Sequence, residues 1–289
     1  MLKQEDLLRN LPWQVTIIYD ACRYDAFELM NPFKGTLYQV YGLASHTYKF
    51  YEGIFEMKDV TLVSATPHAH NFRHKFGKYV PVWKFGWDNY YGVHPETMKM
   101  VVFKLLQEDP NQRMLIHFLQ PHFPLIGYPS LAWGMQGLDF LRATEFSKQI
   151  CYKRHEYFIH AYLANLALVI GTTANLLPYL DGMVIITTDH GTRIGETWPG
   201  GAPGDLCGHN PAERTPYVRH IPFLIMRCER QIDLGVVDRY PEILEKWGIH
   251  ENLRNVSLEG SSYRSSTVSN FKGKKSQVLR PGLKVRIIE

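Results

Sequence analysis

Apolar residues in this chain are grouped in short runs, and each run stops at polar, glycine or proline positions. Runs of this length that are rich in β-branched residues are typical of buried strands. The sequence predicts six strands on this basis: Val15–Ala21, Leu37–Gly42, Val60–Ala65, Met114–Leu119, Met183–Thr188 and Ile221–Met226. Pro222 favours the start of its strand or an edge position, because proline has no N–H for the ladder.

Longer stretches between these runs have the features of helices. A helix is predicted from Pro95 to about Glu108, because proline suits the first helical position and Glu96 follows it. Tyr152–Leu180 predicts one long helix or two, and Tyr240–Trp247 a short one. Polar residues interrupt the apolar stretch 157–180, so we expect a buried helix and no membrane span. The first residues, MLKQEDLLRNLPWQ, lack the apolar core of a signal peptide.

Strands that alternate with helices predict a mostly parallel sheet covered on both faces. In such sheets ligands bind beyond the carboxyl ends of the strands. Polar residues stand at the ends of three of the predicted strands: Asp20 closes the first, Gln120–His122 follow the fourth, and Asp189 with His190 close the fifth. These strand ends are therefore where we expect the chemistry.

Charge divides the chain into a body and a basic tail. Residues 254–289 contain eight Lys/Arg and two acidic residues, so the tail has a net charge of about +6. Because the whole chain has a net charge of +4, the body is near −2. Gly260–Lys275 is rich in Ser, Gly and Lys and predicts a linker, while Leu283–Ile288 is a candidate edge strand. We predict a catalytic domain at 1–253 and a flexible, solvated tail at 254–289. Contact of the tail with nucleic acid or anionic lipid is the alternative, and nucleic acid is not expected, because few aromatic residues interrupt its charges.

The four cysteines, Cys22, Cys151, Cys207 and Cys228, form no CxxC pair and show no regular spacing. This pattern predicts no disulfide framework and no zinc finger. It is compatible with a reducing compartment, and we predict a cytoplasmic protein.

The segment TTDHGTRIGE, followed later by GHN, carries the strongest chemical signal. Asp189 and His190 stand at a strand end, where a carboxylate and an imidazole can bind one divalent cation together. Gly191 would allow a sharp turn, and His209 is a third contributor. The alternative is a loop with incidental histidines. Asp20, in YDACRYDAF, would complete the metal site, and its alternative role is a helix N-cap.

A strand ending in Asp, an RxD turn, and later DHGxxxGE and GH together resemble the alkaline phosphatase–sulfatase superfamily. The sulfatase-like branch, in which the first motif reads DACRYD, is the most similar. IHFLQPHFP, Ile116–Pro124, also resembles that branch, and the likeness runs from about residue 14 to 227. The resemblance implies an α/β fold, a three-layer αβα sandwich with a mostly parallel central sheet.

In that superfamily a side-chain nucleophile is also a metal ligand. The resemblance places the nucleophile in GLASHTYKF, with Thr47 as first choice and Ser45 as second; the alternative for either residue is a helix cap. Contact with a dication would lower the pKa of the hydroxyl. The CxPxR-type motif that sulfatases convert to an aldehyde is absent, so phosphoryl chemistry is favoured and Cys22 is interpreted as a packing residue.

The resemblance also assigns the remaining residues. Asp20, Thr47, Asp189, His190 and His209 are the predicted metal ligands. His122 and Arg23 would bind the anionic group of the substrate, although Arg23 could instead pair with Asp25. His117 is interpreted as buried in its strand, and His68, His70 and His74 as a solvated loop. Two-metal relatives carry DxxxH in the middle loop; this chain lacks the Asp, so one ion is favoured over two. Zn or Mn is expected, with Mg and Ca also compatible.

These features predict a metal-dependent phosphoric-ester hydrolase if water accepts the phosphoryl group, or a phosphotransferase if an alcohol does. The substrate would be a small-molecule, lipid-linked or polysaccharide-linked phosphate or sulfate ester. Two alternatives remain: a sulfuric-ester hydrolase without the aldehyde, and a non-catalytic relative that binds metal and anions. The sequence leaves the natural substrate and the oligomeric state open.

Overall fold

A computed structural model describes residues 1–88, 91–128, 151, 155–196, 207–210 and 212–232, all within one compact unit, 1–251. The predicted tail 254–289, the helix Tyr240–Trp247 and the edge strand Leu283–Ile288 lie outside the described residues.

The described strands are β1 (Val15–Tyr19), β2 (Thr36–Tyr41), β3 (Met57–Ser64), β4 (Phe76–Pro81), β5 (Trp87–Asp88), β6 (Gly92–Val93), β7 (Arg113–Phe118), β8 (Gly182–Thr187), β9 (Arg193–Ile194), β10 (Cys207–Gly208) and β11 (His220–Cys228). The described helices are α1 (Gln4–Asn10), α2 (Tyr24–Met30), α3 (Thr47–Gly53), α4 (Pro95–Glu108), α5 (His155–Leu176) and α6 (Pro216–Arg219), with 3₁₀ segments at Pro67–Lys75, Val82–Lys84 and Leu177–Tyr179.

The central sheet has seven strands in the order β2-β11-β8-β1-β7-β3-β4. Only β11 runs antiparallel to its neighbours, β2 and β8, while the other pairs are parallel. β1 lies in the middle, and each of its residues is buried because β7 and β8 cover both of its edges. The predicted α/β class with a mostly parallel sheet is confirmed, and all six predicted strands are present.

Helices cover both faces of the sheet. On one face, sheet residues such as Ile18, Leu115 and Phe223 form a core with Leu8 of α1 and Phe50 of α3. On the other face lie α2, α4 and α5, and both α2 and α4 contact α5. Neighbouring residues of a strand point to opposite faces, which explains why Ile18 and the next residue of β1 enter different layers. The predicted three-layer αβα sandwich is therefore confirmed.

Tyr19 shows how the second layer is held to the sheet. Its ring packs against Phe27 of α2 at 6.1 Å, and its hydroxyl donates a 2.7 Å hydrogen bond to Thr173 of α5. On the same helix, Thr172 donates to Glu96 of α4 at 2.9 Å. Two of the polar residues that interrupt the apolar stretch of α5 thus have hydrogen-bond partners within the fold.

By length and composition, the segment Glu156–Tyr179 could also cross a membrane, and it is the one such helix among the described residues. Half of its most apolar window is buried within the structure. A core helix passes the same test, so the expected absence of a membrane span stays a prediction.

Strand β4 was missed from the sequence. Its residues, FGKYVP, include a glycine, a lysine and a proline, and only part of the strand is buried. An edge strand of this kind needs no continuous apolar run, because only one of its edges is paired. The histidine-rich segment before it, PHAHNFRHK, is a 3₁₀ helix rather than a loop, and the Thr66 hydroxyl caps it by accepting from His68 N at 3.4 Å.

Two cysteines contradict the prediction that no disulfide forms. Cys151 and Cys207, which are 56 positions apart, are joined by a disulfide, while Cys22 and Cys228 are free and buried. Sequence spacing could not reveal the pair, because the fold alone brings such distant positions together. Cys22 is fully buried, in agreement with its interpretation as a packing residue.

Candidate metal centre and active site

The carboxyl ends of β1, β7 and β8 bring four predicted or potential ligands together. Asp20 follows β1, Asp189 and His190 follow β8, and His117 is the penultimate residue of β7. All four side chains are almost completely buried. Because these strands are adjacent and parallel, residues far apart in the chain meet at one edge of the sheet.

The distances among these groups are short enough for one shared cation. Nε2 of His190 lies 3.6 Å from Asp20 and 3.4 Å from Asp189. Nε2 of His117 lies 3.7 Å from Asp20 and 3.8 Å from Asp189. Ligand atoms of Asp20, His117 and Asp189 all lie within 4.8 Å of one another, the spacing of a potential metal site. The structure therefore adds His117 to the ligands that the sequence predicted.

Thr47 is the first residue of α3, and its hydroxyl faces this cluster. Oγ1 of Thr47 lies 3.3 Å from Nε2 of His190 and 3.5 Å from both carboxylate oxygens of Asp20. The cap of α3 is His46, whose Nδ1 accepts from Lys49 N at 3.2 Å. Thr47 is thus not the helix cap, which was the alternative interpretation. Ser45, the second choice for the nucleophile, is also buried.

A left-handed backbone conformation turns the chain sharply after Asp20. Ala21 has φ +59°, a region that residues with a Cβ seldom adopt, so the turn requires support from its surroundings. Tyr162 of α5 supplies it, since its hydroxyl donates to Ala21 O at 2.9 Å and accepts from Arg23 N at 3.0 Å. Ala21 N in turn donates to Oδ1 of Asp189 at 3.2 Å.

The two oxygens of Asp189 have different environments. Oδ1 accepts hydrogen bonds from the backbone N–H groups of Ala21 and His190, at 3.2 and 2.9 Å. Oδ2 is buried without a hydrogen-bond partner among the described residues. Gly191, which follows, was expected to permit a sharp turn; instead a Cβ there would clash with the carbonyl oxygen of Tyr217. Glycine is thus required by close backbone approach.

Both imidazoles are held so that Nε2 points at the carboxylates. Nδ1 of His190 lies 2.7 Å from Gly191 O, and Nδ1 of His117 lies 2.6 Å from the Tyr51 hydroxyl. The His190 contact assigns the proton to Nδ1, because a carbonyl can only accept, and leaves a lone pair on Nε2. Burial lowers the pKa of His117 to about 4, so its ring is neutral at physiological pH. Metal-binding histidines commonly use their second nitrogen in this way.

This donor set fits a divalent cation. Within the described part of the chain, Nε2 of His117 and Oδ2 of Asp189 are buried without hydrogen-bond partners, which costs free energy unless another group binds them. Burial and the neighbouring Asp189 raise the pKa of Asp20 well above its usual value, because two carboxylates repel each other in a dry site. A dication would remove that repulsion. Two carboxylates with two imidazoles are ligands that suit Zn or Mn.

His209 and His122 lie beside this cluster rather than within it. The ring of His209 is 4.1 Å from that of His190 and 5.8 Å from that of His122, between centroids. His46 is a further neighbour of His209, at 6.5 Å, that the sequence did not indicate. Burial, followed by the effect of His190, lowers the pKa of His122 to about 4, and its Nδ1 lies 2.6 Å from Phe123 O. His122 therefore presents a neutral Nε2.

Arg23 is buried and engaged in ion pairs. It forms a two-pronged contact with Asp25, pairs with Glu196, and lies 4.7 Å above the ring of Tyr217. The alternative prediction, a pair with Asp25, is thus present in the structure. Substrate binding by Arg23 stays a prediction that would require these contacts to change.

The three histidines of PHAHNFRH separate into different environments. His68 is exposed and within electrostatic range of Asp189 and His190. His70 packs between Tyr79 and Trp83, at 6.0 and 6.1 Å. His74 is exposed. The solvated loop predicted for these residues is instead a 3₁₀ helix, and its three histidines have different surroundings.

Comparisons with known proteins give structural but not sequence matches. No protein-family model and no curated protein sequence matches the chain. The soluble domain of lipooligosaccharide phosphoethanolamine transferase A from Neisseria meningitidis is similar with TM-score 0.54 and 12% identity, over 80% of this chain and 83% of that chain. The C-terminal periplasmic domain of phosphoethanolamine transferase EptC from Campylobacter jejuni is similar with TM-score 0.51 and 12% identity, over 73% of this chain and 78% of that chain. The C-terminal periplasmic domain of EptC from Escherichia coli, in complex with Zn, is similar with TM-score 0.50 and 14% identity, over 75% of this chain and 73% of that chain.

The chain has the fold of the alkaline phosphatase–sulfatase superfamily. This fold agrees with the resemblance inferred from DACRYD, QPHFP, DHG and GH. The cytoplasmic location predicted from the cysteines is wrong, because the similar structures are periplasmic domains. The disulfide agrees with this correction, since disulfides persist in oxidising compartments.

The disulfide also lies close in sequence to His209, which packs beside the candidate metal ligand His190. Cys207 pairs with Ile194 in the β9–β10 ladder, two residues before His209, and its sulfur is tied to Cys151. We expect replacement of both Cys151 and Cys207 by Ser to lower the free energy of unfolding by about 3 kcal/mol, the usual effect of opening such a loop. Urea denaturation would measure this change.

Cys228→Ser is the matched control for this prediction, since Cys228 is a buried free thiol that closes no loop. It should shift the urea midpoint much less than the double replacement. Equal midpoints for the two variants, or a free-thiol titration that detects all four cysteines in the unfolded wild type, would show that Cys151 and Cys207 are not joined.

Proposed function

We propose that this protein is a metal-dependent enzyme that transfers a phosphoryl group through Thr47. One observation carries the proposal: the Thr47 hydroxyl lies within 3.5 Å of Asp20 and His190, in a buried cluster where atoms of His117 and Asp189 have no hydrogen-bond partner in the described ranges. A nucleophile beside a set of metal ligands is the arrangement that two-step phosphoryl transfer requires. The similar structures are phosphoethanolamine transferases, which supports an enzyme of this type.

Asp20, His117, Asp189 and His190 would hold one divalent cation, with Thr47 as a further ligand and His209 beside them. When bound, the cation would lower the pKa of the Thr47 hydroxyl and offset charge on the phosphoryl oxygens. The metal dependence, the number of ions and the choice of Zn or Mn are part of the proposal. The zinc complex of the similar Escherichia coli domain supports a divalent metal in general.

In the first step Thr47 Oγ1 bonds to phosphorus, the bond from phosphorus to the ester oxygen breaks, and the departing alcohol takes up the proton that Thr47 loses. In the second step the oxygen of water or of an acceptor alcohol bonds to phosphorus, the bond to Thr47 breaks, and the proton of the acceptor returns to Thr47 Oγ1. The neutral Nε2 of His122 can accept a hydrogen bond from that incoming hydroxyl, because Nδ1 is committed to Phe123 O. His209 and Arg23 are the remaining candidates for contact with the substrate anion.

We favour a transferase that acts on a lipid-linked or polysaccharide-linked ester outside the cytoplasm. One of the similar structures is the soluble domain of a lipooligosaccharide phosphoethanolamine transferase, and the disulfide supports an oxidising compartment. A phosphodiester such as a phosphoethanolamine-bearing lipid is therefore the proposed donor. The role of residues 1–253 as the catalytic domain, with a flexible tail, belongs to the same proposal.

The proposal is tested with metal-free protein to which Zn²⁺ or Mn²⁺ is returned. We expect turnover of bis-p-nitrophenyl phosphate with metal and none after EDTA, and a share of the product should be transferred to glycerol when glycerol is added. Turnover of p-nitrophenyl sulfate alone would establish the sulfuric-ester alternative. Metal binding without turnover of any of these esters would favour the non-catalytic alternative.

A further inference from the structure

The N-terminal segment runs beside the active-site end of the sheet. Lys3 forms an isolated parallel bridge with Tyr41 at the end of β2, and Tyr41 N donates to Leu2 O at 2.8 Å. The next residue, Gln4, begins α1, and its side chain is completely buried. A fully buried amide is uncommon unless its donor and acceptor atoms both have partners.

Both ends of the Gln4 amide are hydrogen-bonded to loops that lead to the site. Nε2 donates to Thr188 O at 2.6 Å and to the Thr187 hydroxyl at 3.2 Å. Oε1 accepts from Leu43 N at 3.0 Å. Thr188 directly precedes Asp189, and Leu43 opens the loop that ends at Thr47. One side chain therefore connects the segment with the nucleophile to the segment with two metal ligands.

The sheet itself cannot make this connection. In the strand order, β11 lies between β2 and β8, so no backbone ladder joins the strands that precede these two loops. Gln4 bridges the loops that follow β2 and β8, near the first residues of β11. The Thr187 hydroxyl that Gln4 contacts donates in turn to Pro222 O of β11 at 2.7 Å. The buried amide thus links the two loops across β11, in addition to the backbone hydrogen bonds from Gly42 N to Arg219 O and from Gly191 N to Val218 O, at 2.7 and 2.9 Å.

We propose that Gln4 is a positioning residue that holds the Thr47 loop in register with Asp189 and His190. Gln4 touches neither substrate nor metal, and it acts through the backbone of Leu43 and Thr188. Its effect on turnover rests on the proposed function, but its effect on the two loops does not. The N-terminal segment is accordingly part of the active-site framework and not only a cover for the core.

The test compares Gln4→Met with Trp13→Phe. Methionine has nearly the same volume as glutamine but cannot make the three hydrogen bonds. Trp13→Phe is the matched control, because Trp13 lies in the same segment and donates to Leu8 O at 2.8 Å without touching either loop. Hydrogen exchange of peptides covering 43–50 and 188–194 is measured in the full chain, together with the Zn²⁺ dissociation constant.

For Gln4→Met we expect faster exchange in both peptides and a Zn²⁺ dissociation constant that is about tenfold higher. Tenfold is the lower end of the loss of metal affinity that follows removal of a contact supporting the ligands. Trp13→Phe should lower the melting temperature but leave both readouts near wild type. Gln4→Asn covers the case that the methionine variant does not fold, because it keeps a neutral amide. Its shorter side chain cannot reach both Leu43 N and Thr188 O, so at least one of the two peptides should exchange faster.

Local exchange and Zn²⁺ affinity that change no more in the Gln4 variants than in Trp13→Phe would overturn the positioning role. The proposed function fails separately, if wild-type protein turns over no ester. In that case faster exchange confined to the two peptides would still support Gln4 as the link between the loops.

Discussion

Thr47→Ala should reduce ester turnover by about a thousandfold or more, because loss of an attacking side chain removes most of the catalysis that depends on it. The Thr47 hydroxyl lies within 3.5 Å of both Asp20 and His190. Steady-state assays with bis-p-nitrophenyl phosphate measure the loss. Intact mass after brief exposure to this substrate should show one added p-nitrophenyl phosphoryl group in wild type and none in Thr47→Ala, because only one of the two p-nitrophenol groups leaves in the first step.

Two further variants make this prediction specific. Thr47→Ser retains a hydroxyl at the same position and should recover part of the turnover and the mass increase. Ser45→Ala removes the other buried hydroxyl of the loop and should retain most of the activity. The nucleophile assignment is wrong if Ser45→Ala is inactive while Thr47→Ala still forms the phosphorylated protein.

Asp189→Asn should weaken Zn²⁺ or Mn²⁺ binding by at least about a hundredfold. Mutation of residues that only support metal ligands already lowers metal affinity about 10- to 100-fold, and Asp189 is proposed to be a ligand itself. The amide keeps an oxygen for the N–H groups of Ala21 and His190 but lacks the charge of the buried Oδ2. It also removes the repulsion between Asp189 and Asp20. The metal-free variant should therefore melt at the same temperature as metal-free wild type, or higher.

Melting curves with and without added metal separate these two effects. Metal should raise the melting temperature of wild type, because a ligand that binds only the folded state stabilises it, and this rise should vanish in Asp189→Asn. Asp59→Asn is the control, since Asp59 pairs with Arg113 at the opposite end of β7 and is exposed. A full metal-dependent rise in Asp189→Asn would mean that the ion binds elsewhere.

For His117 the sequence predicted burial in a strand but not a role as a metal ligand. The histidine was correctly placed in a strand and correctly interpreted as buried, and burial in the core was a sufficient explanation for it. Its role as a potential ligand follows only from the pairing of β7 with β1, which places Ile18 beside His117 and directs Nε2 toward Asp20 and Asp189. Strand order is not visible in the periodicity of a single strand, so the sequence could not distinguish the two interpretations.

The sequence alone predicted six of the seven strands of the central sheet and α4, because apolar runs and a proline start are local signals. Strand-end motifs indicated Asp20, Asp189 and His190, and the family resemblance indicated Thr47; these four residues meet in the structure, and His209 lies beside them. Only the tertiary structure decided which strands are neighbours, and with that the inclusion of His117, the Cys151–Cys207 bridge and the link through Gln4. Each of these depends on contacts between residues far apart in the chain, and such contacts arise from packing of the whole fold, which no local pattern of residues encodes.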